Sequence, residues 1–115
     1  MKVLPACNVE LTLILISDRW KVLIIRDLLT GTKRFSELKK SVQGISQKVL
    51  TSHLRDMESD GLVDRKIYPQ VPPRVEYSLT ELGLSLQPVL RAMEEWGLAY
   101  RTGRIGSEDG ELSRQ

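Results

Sequence analysis

Five side chains within nine positions, Gln47, Lys48, Thr51, Ser52 and Arg55, recur at the spacing of one helical face. Leu50, Leu54 and Met57 fall on the opposite side, with Val49 as an alternative to Leu50 in that stripe. Gln, Thr and Ser can both donate to and accept from base edges, while Lys and Arg reach guanine or phosphate oxygens. Ser46, immediately before them, caps the segment, and the free N–H groups of a helix start suit a phosphate oxygen. Acidic residues stay away until Asp56 and Glu58. The same five residues would also make an ordinary solvated helix face, so the surrounding elements must decide between the two.

Other chemistry is sparse. The chain holds one histidine, His53, and one cysteine, Cys7. That pair cannot assemble the roughly four N/S ligands of a structural zinc site, and no metal or cofactor is expected. No nucleophile elbow, phosphate-binding glycine loop or framed pair of carboxylates is present, so the chain does not read as an enzyme. His53 lies beside Leu54 and reads as a packing or DNA-proximal residue rather than a ligand. A single cysteine allows no intramolecular disulfide, and the cytoplasm is the default compartment. Leu4-Pro5-Ala6-Cys7 lacks the preceding apolar region of a lipoprotein signal. The apolar runs Val9 to Ile16 and Val22 to Ile25 fall far short of the about 20 residues that cross a bilayer, so no membrane partner is expected.

The elements that must position the polar face follow from periodicity and breakers. Asn8 can cap a first helix running to about Ile16, and Ser17-Asp18 ends it and caps the next. Trp20 to Leu29 is apolar around most of its circumference, as in a helix central to a core. Gly31 then serves as a left-handed terminator. Phe35 to Ser41 forms a third helix, with Phe35, Leu38 and Val42 inward. Gly44 sits in a turn that tolerates positive φ, and Ser46 caps the helix bearing the polar face. Val63 to Tyr68 and Arg74 to Leu79 read as strands, the second alternating strictly. The Pro69-Gln-Val-Pro72-Pro73 connection between them excludes a two-residue turn and stiffens an extended loop. Thr80 caps a last helix to about Tyr100 that Pro88 should kink or divide. Residues 1–100 thus form a single domain, and 101–115 form a Gly-, Ser- and charge-rich flexible tail.

This order is a helix-turn-helix followed by a hairpin, which places one helix in the major groove and a loop beside it. With 115 residues and 41% apolar content, the chain suits one small domain with a limited core. Net charge is only +2, but it is unevenly spread. From Lys33 to Arg74 there are nine basic and five acidic residues, a surplus of four; from Glu81 onward there are four basic and six acidic. The middle of the chain is suited to a polyanion. Lys66 and Arg74 flank the hairpin loop and can reach the minor groove or its phosphates. Lys39 and Lys40, on the supporting helix, are further phosphate candidates.

Trp20-Lys21, Arg34-Phe35-Ser36-Glu37-Leu38, Gly44-Ile45-Ser46-Gln47-Lys48, Asp60-Gly61-Leu62-Val63 and Pro72-Pro73-Arg74-Val75-Glu76-Tyr77-Ser78-Leu79-Thr80 together are similar to the HxlR-type transcriptional regulators, a family of bacterial winged helix-turn-helix proteins. The resemblance covers about Cys7 to Gly97. It implies a mainly α fold with a small β-hairpin, and a homodimer built by the N- and C-terminal helices, with Leu11, Leu90, Met93 and Trp96 at the interface. It also implies binding to double-stranded operator DNA through two recognition helices and two wings, with half-sites about one helical turn apart. Cys7 occupies the position, just before the first helix, at which several family members sense electrophiles or oxidants. A helix N-terminus favours thiolate character, and with no second cysteine any disulfide would be intermolecular or with a small thiol. The alternative for Cys7 is a small apolar interface residue. The expectation is a sequence-specific DNA-binding repressor, redox- or electrophile-responsive through Cys7. Alternatives are a ligand-responsive regulator with a structural Cys7, or a winged-helix module for protein–protein contacts.

Overall fold

In the computed structural model, residues 3–103 are described, and the chain separates into two compact units, Met1–Ser85 and Leu86–Gln115. The expected tail lies outside the described residues from position 104 onward. The first unit opens with α1 (Asn8–Ile16), whose N-cap is Cys7 and not Asn8; no side chain caps it. The Asn8 carbonyl instead accepts from Thr12 Oγ1 at 3.0 Å. Ile16 is the buried residue of α1, whereas Val9 and Leu13 are exposed.

α2 (Arg19–Leu28) begins at Asp18, whose carboxylate accepts from the backbone N–H of Trp20 and Lys21, the arrangement that satisfies otherwise orphaned helix donors. Ile24, Ile25 and Leu28 are buried, as a helix central to the core requires. β1 (Lys33–Arg34) leads directly into α3 (Phe35–Ser41), where the Arg34 N–H donates to Glu37 Oε1 at 2.8 Å. Leu38 and Val42 are fully buried. Gly44 takes φ +88°, so the turn into α4 needs a residue free to adopt positive φ.

α4 (Gln47–Ser59) is capped by Ser46 Oγ, which accepts from the Val49 N–H at 3.1 Å. Its inward stripe is Leu50, Leu54 and Met57, continued past the helix by Leu62. Burying each such side chain contributes about 1.5–3 kcal/mol, against about 0–1 kcal/mol for an exposed ion pair, so packing rather than charge holds the helix down. β2 (Val63–Tyr68) and β3 (Arg74–Leu79) form the hairpin, with Arg65 opposite Tyr77 and Lys66 opposite Glu76. β1 pairs with β3, giving a three-stranded antiparallel sheet in the order β1-β3-β2.

Thr80 caps α5 (Glu81–Leu84), its Oγ1 accepting from the Gly83 N–H. Gly83 is sterically obligatory: a Cβ there would lie 2.2 Å from the Leu62 carbonyl oxygen. The second unit contains α6 (Gln87–Arg101), with Pro88 in its first turn. Proline therefore divides the expected last helix in two, sitting where its missing N–H leaves no intrahelical bond unmade. Leu90 is the buried residue of α6, while Met93, Trp96 and Leu98 are exposed. Trp96 stacks on Tyr100 with ring centroids 5.5 Å apart. Among the described residues, no helix is long and apolar enough to cross a membrane.

Candidate nucleic-acid interface

The α4 face expected from the sequence forms as a surface. Gln47, Lys48, Thr51, Ser52 and Arg55 line one open concavity of about 610 Å³. Each follows from the same local logic: with Leu50, Leu54 and Met57 committed to the core, these positions turn outward. Ser46 serves as the N-cap, so its hydroxyl is engaged with the Val49 N–H.

Beside this face lies a corner that sequence reasoning did not assign. Arg65 Nε stands 3.4 Å from Glu58 Oε1, and Thr51, Leu54, Arg55, Glu58, Arg65 and Tyr77 enclose a concavity of about 160 Å³. Burial pushes the Tyr77 hydroxyl above its ordinary value near 10; Arg65 opposes this, while Glu58 adds to the rise and Arg55 lowers it. The signal for Arg65 is the period-2 alternation itself. Paired with Tyr77, it occupies the face of the hairpin that also carries the buried Val63 and Leu79.

Lys66 occupies the other face. It shares that face with Tyr68, Arg74 and Glu76, and the two cations rest on one ring: Lys66 Nζ is 5.0 Å and Arg74 Cζ 4.1 Å from the Tyr68 centroid. Arg74 Nε is buried and 3.5 Å from Glu76 Oε2, an ion-pair contact without a hydrogen bond. Lys66 and Arg74 thus build the root of the wing, and the loop beyond it, 69–73, carries no charged residue and has the fully exposed Val71 at its centre. Lys39 is exposed near the end of α3.

His53 is not on the outward face. Its Nε2 lies 3.2 Å from Asp18 Oδ2, at the start of α2. One helical turn on, Asp56 forms an ion pair with the buried Lys21. Cys7 is exposed at the start of α1, and Leu11 is half-buried within that helix. Among the described residues, no group of His, Cys, Asp and Glu side chains is placed to hold a metal ion.

The helix-turn-helix, the outward polar face and the hairpin agree with comparison to known proteins. The HxlR-like helix-turn-helix family model matches residues 15–104. The chain belongs to this family. YdeP of Bacillus subtilis, an HTH-type transcriptional regulator, is 47% identical over 95 residues, which span 83% of this chain and 74% of YdeP. In three dimensions the fold is similar to the reduced form of the redox regulator HypR, with a TM-score of 0.80, 45% identity and coverage of 83% of this chain and 94% of that one. It is also similar to the reduced form of the B. subtilis transcriptional regulator YodB, with a TM-score of 0.73, 36% identity and coverage of 90% and 100%. HypR has also been solved oxidised, and YodB after diamide treatment. This HxlR-like chain is a winged helix-turn-helix transcriptional regulator.

Proposed function

We propose that this regulator represses transcription in the cytoplasm by binding operator DNA as a homodimer, and that chemical modification of Cys7 changes that binding. The observation that carries the reading is the α4 face, on which five hydrogen-bonding or cationic side chains share one open surface. In this reading Gln47, Thr51 and Ser52 meet base edges, Lys48 and Arg55 meet guanine or phosphate, and the α4 N-terminus at Ser46 approaches a phosphate. Lys39, with Lys66 and Arg74 at the wing root, supplies flanking backbone contacts that position the protein without specifying sequence.

The homodimer is supported by apolar side chains left in solvent. α1 exposes Val9 and Leu13; α6 exposes Met93 and Trp96, and Pro88, Val89, Ala92, Met93 and Trp96 line an apolar concavity of about 790 Å³. Exposed apolar surface of this kind marks association sites. Leu90, by contrast, is already buried, so Met93 and Trp96 carry the α6 contribution.

The Cys7 reading rests on the thiol's exposure at a helix start and on HypR being a redox regulator. Operator binding by wild type and Cys7→Ser, measured before and after treatment with diamide or a quinone, is the test. Release by the wild type alone is the expected result. Equal release by both proteins would exclude a thiol switch and leave Cys7 structural.

A further inference from the structure

We infer that Asp18 and Lys21 are positioning residues for the recognition helix, fixing the roll of α4 about its axis without touching DNA; this rests on the reading that α4 enters the major groove. Three flanks of α4 carry three different jobs. Leu50, Leu54 and Met57 face the core, and Gln47, Lys48, Thr51, Ser52 and Arg55 face outward. The flank between them presents His53 and Asp56, which lie one turn apart and meet the two ends of a single segment, Asp18 to Lys21.

That segment is built for two engagements at once. One oxygen of Asp18, Oδ1, accepts from Trp20 N–H at 2.8 Å and Lys21 N–H at 3.2 Å, while the other, Oδ2, lies 3.2 Å from His53 Nε2. The backbone of Asp18 sits at φ 75°, ψ 155°, a region occupied almost only by glycine. An L-residue is retained there, and its carboxylate joins the start of α2 to α4. Lys21 is 6% exposed, yet it carries its ammonium to Asp56 rather than to solvent. A cation this deeply covered is costly to bury without its partner, so the pairing fixes which side chain of α4 faces α2. The Glu58–Arg65 contact lies nearer the outward face, beside Thr51 and Arg55. Apolar stripes hold the helix down but tolerate small rotations; the pair between Asp56 and the buried Lys21 selects one of them.

Asp18→Asn keeps a side chain that caps helices but removes the charge facing His53. The measurement is binding of a duplex selected from a random-sequence pool by the wild-type protein, followed across a salt series and paired with thermal melting. Asp18→Asn is expected to lose affinity by roughly tenfold, the scale of couplings between contacting residues. The dependence of log K on log salt should keep the wild-type slope, because no phosphate contact is removed. His53→Gln, which breaks the same contact from α4, is expected to match it, and the double variant to lose no more than either single one. Unchanged affinity in both folded single variants would overturn the inference. So would additive losses in the double variant, or a shallower salt slope like that of a lost phosphate contact. A wild-type protein without duplex affinity at low salt would refute the functional reading instead, so the two failures are distinct.

Discussion

Tyr77 shows how one side chain reports on the corner between reading helix and wing. Its hydroxyl titrates above its ordinary value near 10, chiefly because burial disfavours the phenolate. The neutral form is therefore favoured by folding, and this contribution is fully present below pH 10. It is lost as pH rises through the higher folded-state value, since the folded protein then holds a proton the unfolded chain has released. Wild-type stability should fall as pH rises above about 10. Tyr77→Phe should show a shallower alkaline decline in urea unfolding monitored by circular dichroism. Identical alkaline slopes would mean that Tyr77 is solvated. Residue-scale chemistry was only half legible in the sequence. Periodicity sufficed to place Gln47, Lys48, Thr51, Ser52 and Arg55 on one surface, because helical spacing and an apolar stripe determine direction. It did not reveal that His53 meets Asp18, since a contact across 35 positions depends on how two helices pack.

At the scale of elements, the strands and α3 run over the residues that alternation and glycine punctuation indicate, from Val63–Tyr68 through Arg74–Leu79. β1 escapes such reading because two residues, Lys33 and Arg34, carry no periodicity; only their pairing with Tyr77 and Glu76 makes them a strand. Gly83 escaped for a similar reason, since its need for a bare Cα comes from the approach of Leu62. The wing shows how register outranks composition. Lys66 is the residue that charge selects, yet pleating turns it toward Tyr68 and brings Arg65 beside Arg55 and Tyr77. Arg65→Ala should therefore weaken operator binding several-fold more than Lys66→Ala, because it also releases Glu58, an uncompensated carboxylate next to the reading face. Side-by-side fluorescence anisotropy titrations would check this ordering; a larger loss for Lys66→Ala would place the wing's working face on the Tyr68 side.

At the scale of the whole molecule, the proposed homodimer would let one small chain engage two half-sites. A single α4 presents a short outward face, and two copies are needed for the affinity and spacing of a dimeric helix-turn-helix protein. Exposed Met93 and Trp96 on α6, with Val9 and Leu13 on α1, give each unit apolar surface available to a second copy. Trp96→Asp should convert a dimer to a monomer in sedimentation velocity while leaving the helical circular-dichroism signal in place. A dimer that survives the charge would move the interface elsewhere.

Whether α4 holds DNA through its outward polar and cationic face is decided by a salt titration of duplex binding. Affinity should fall linearly on a log–log plot, with a slope that rises with the number of phosphates neutralised, and Arg55→Ala should reduce that slope or the sequence preference. A chain with no duplex affinity at low salt, or one whose affinity ignores salt and Arg55 alike, would contradict it.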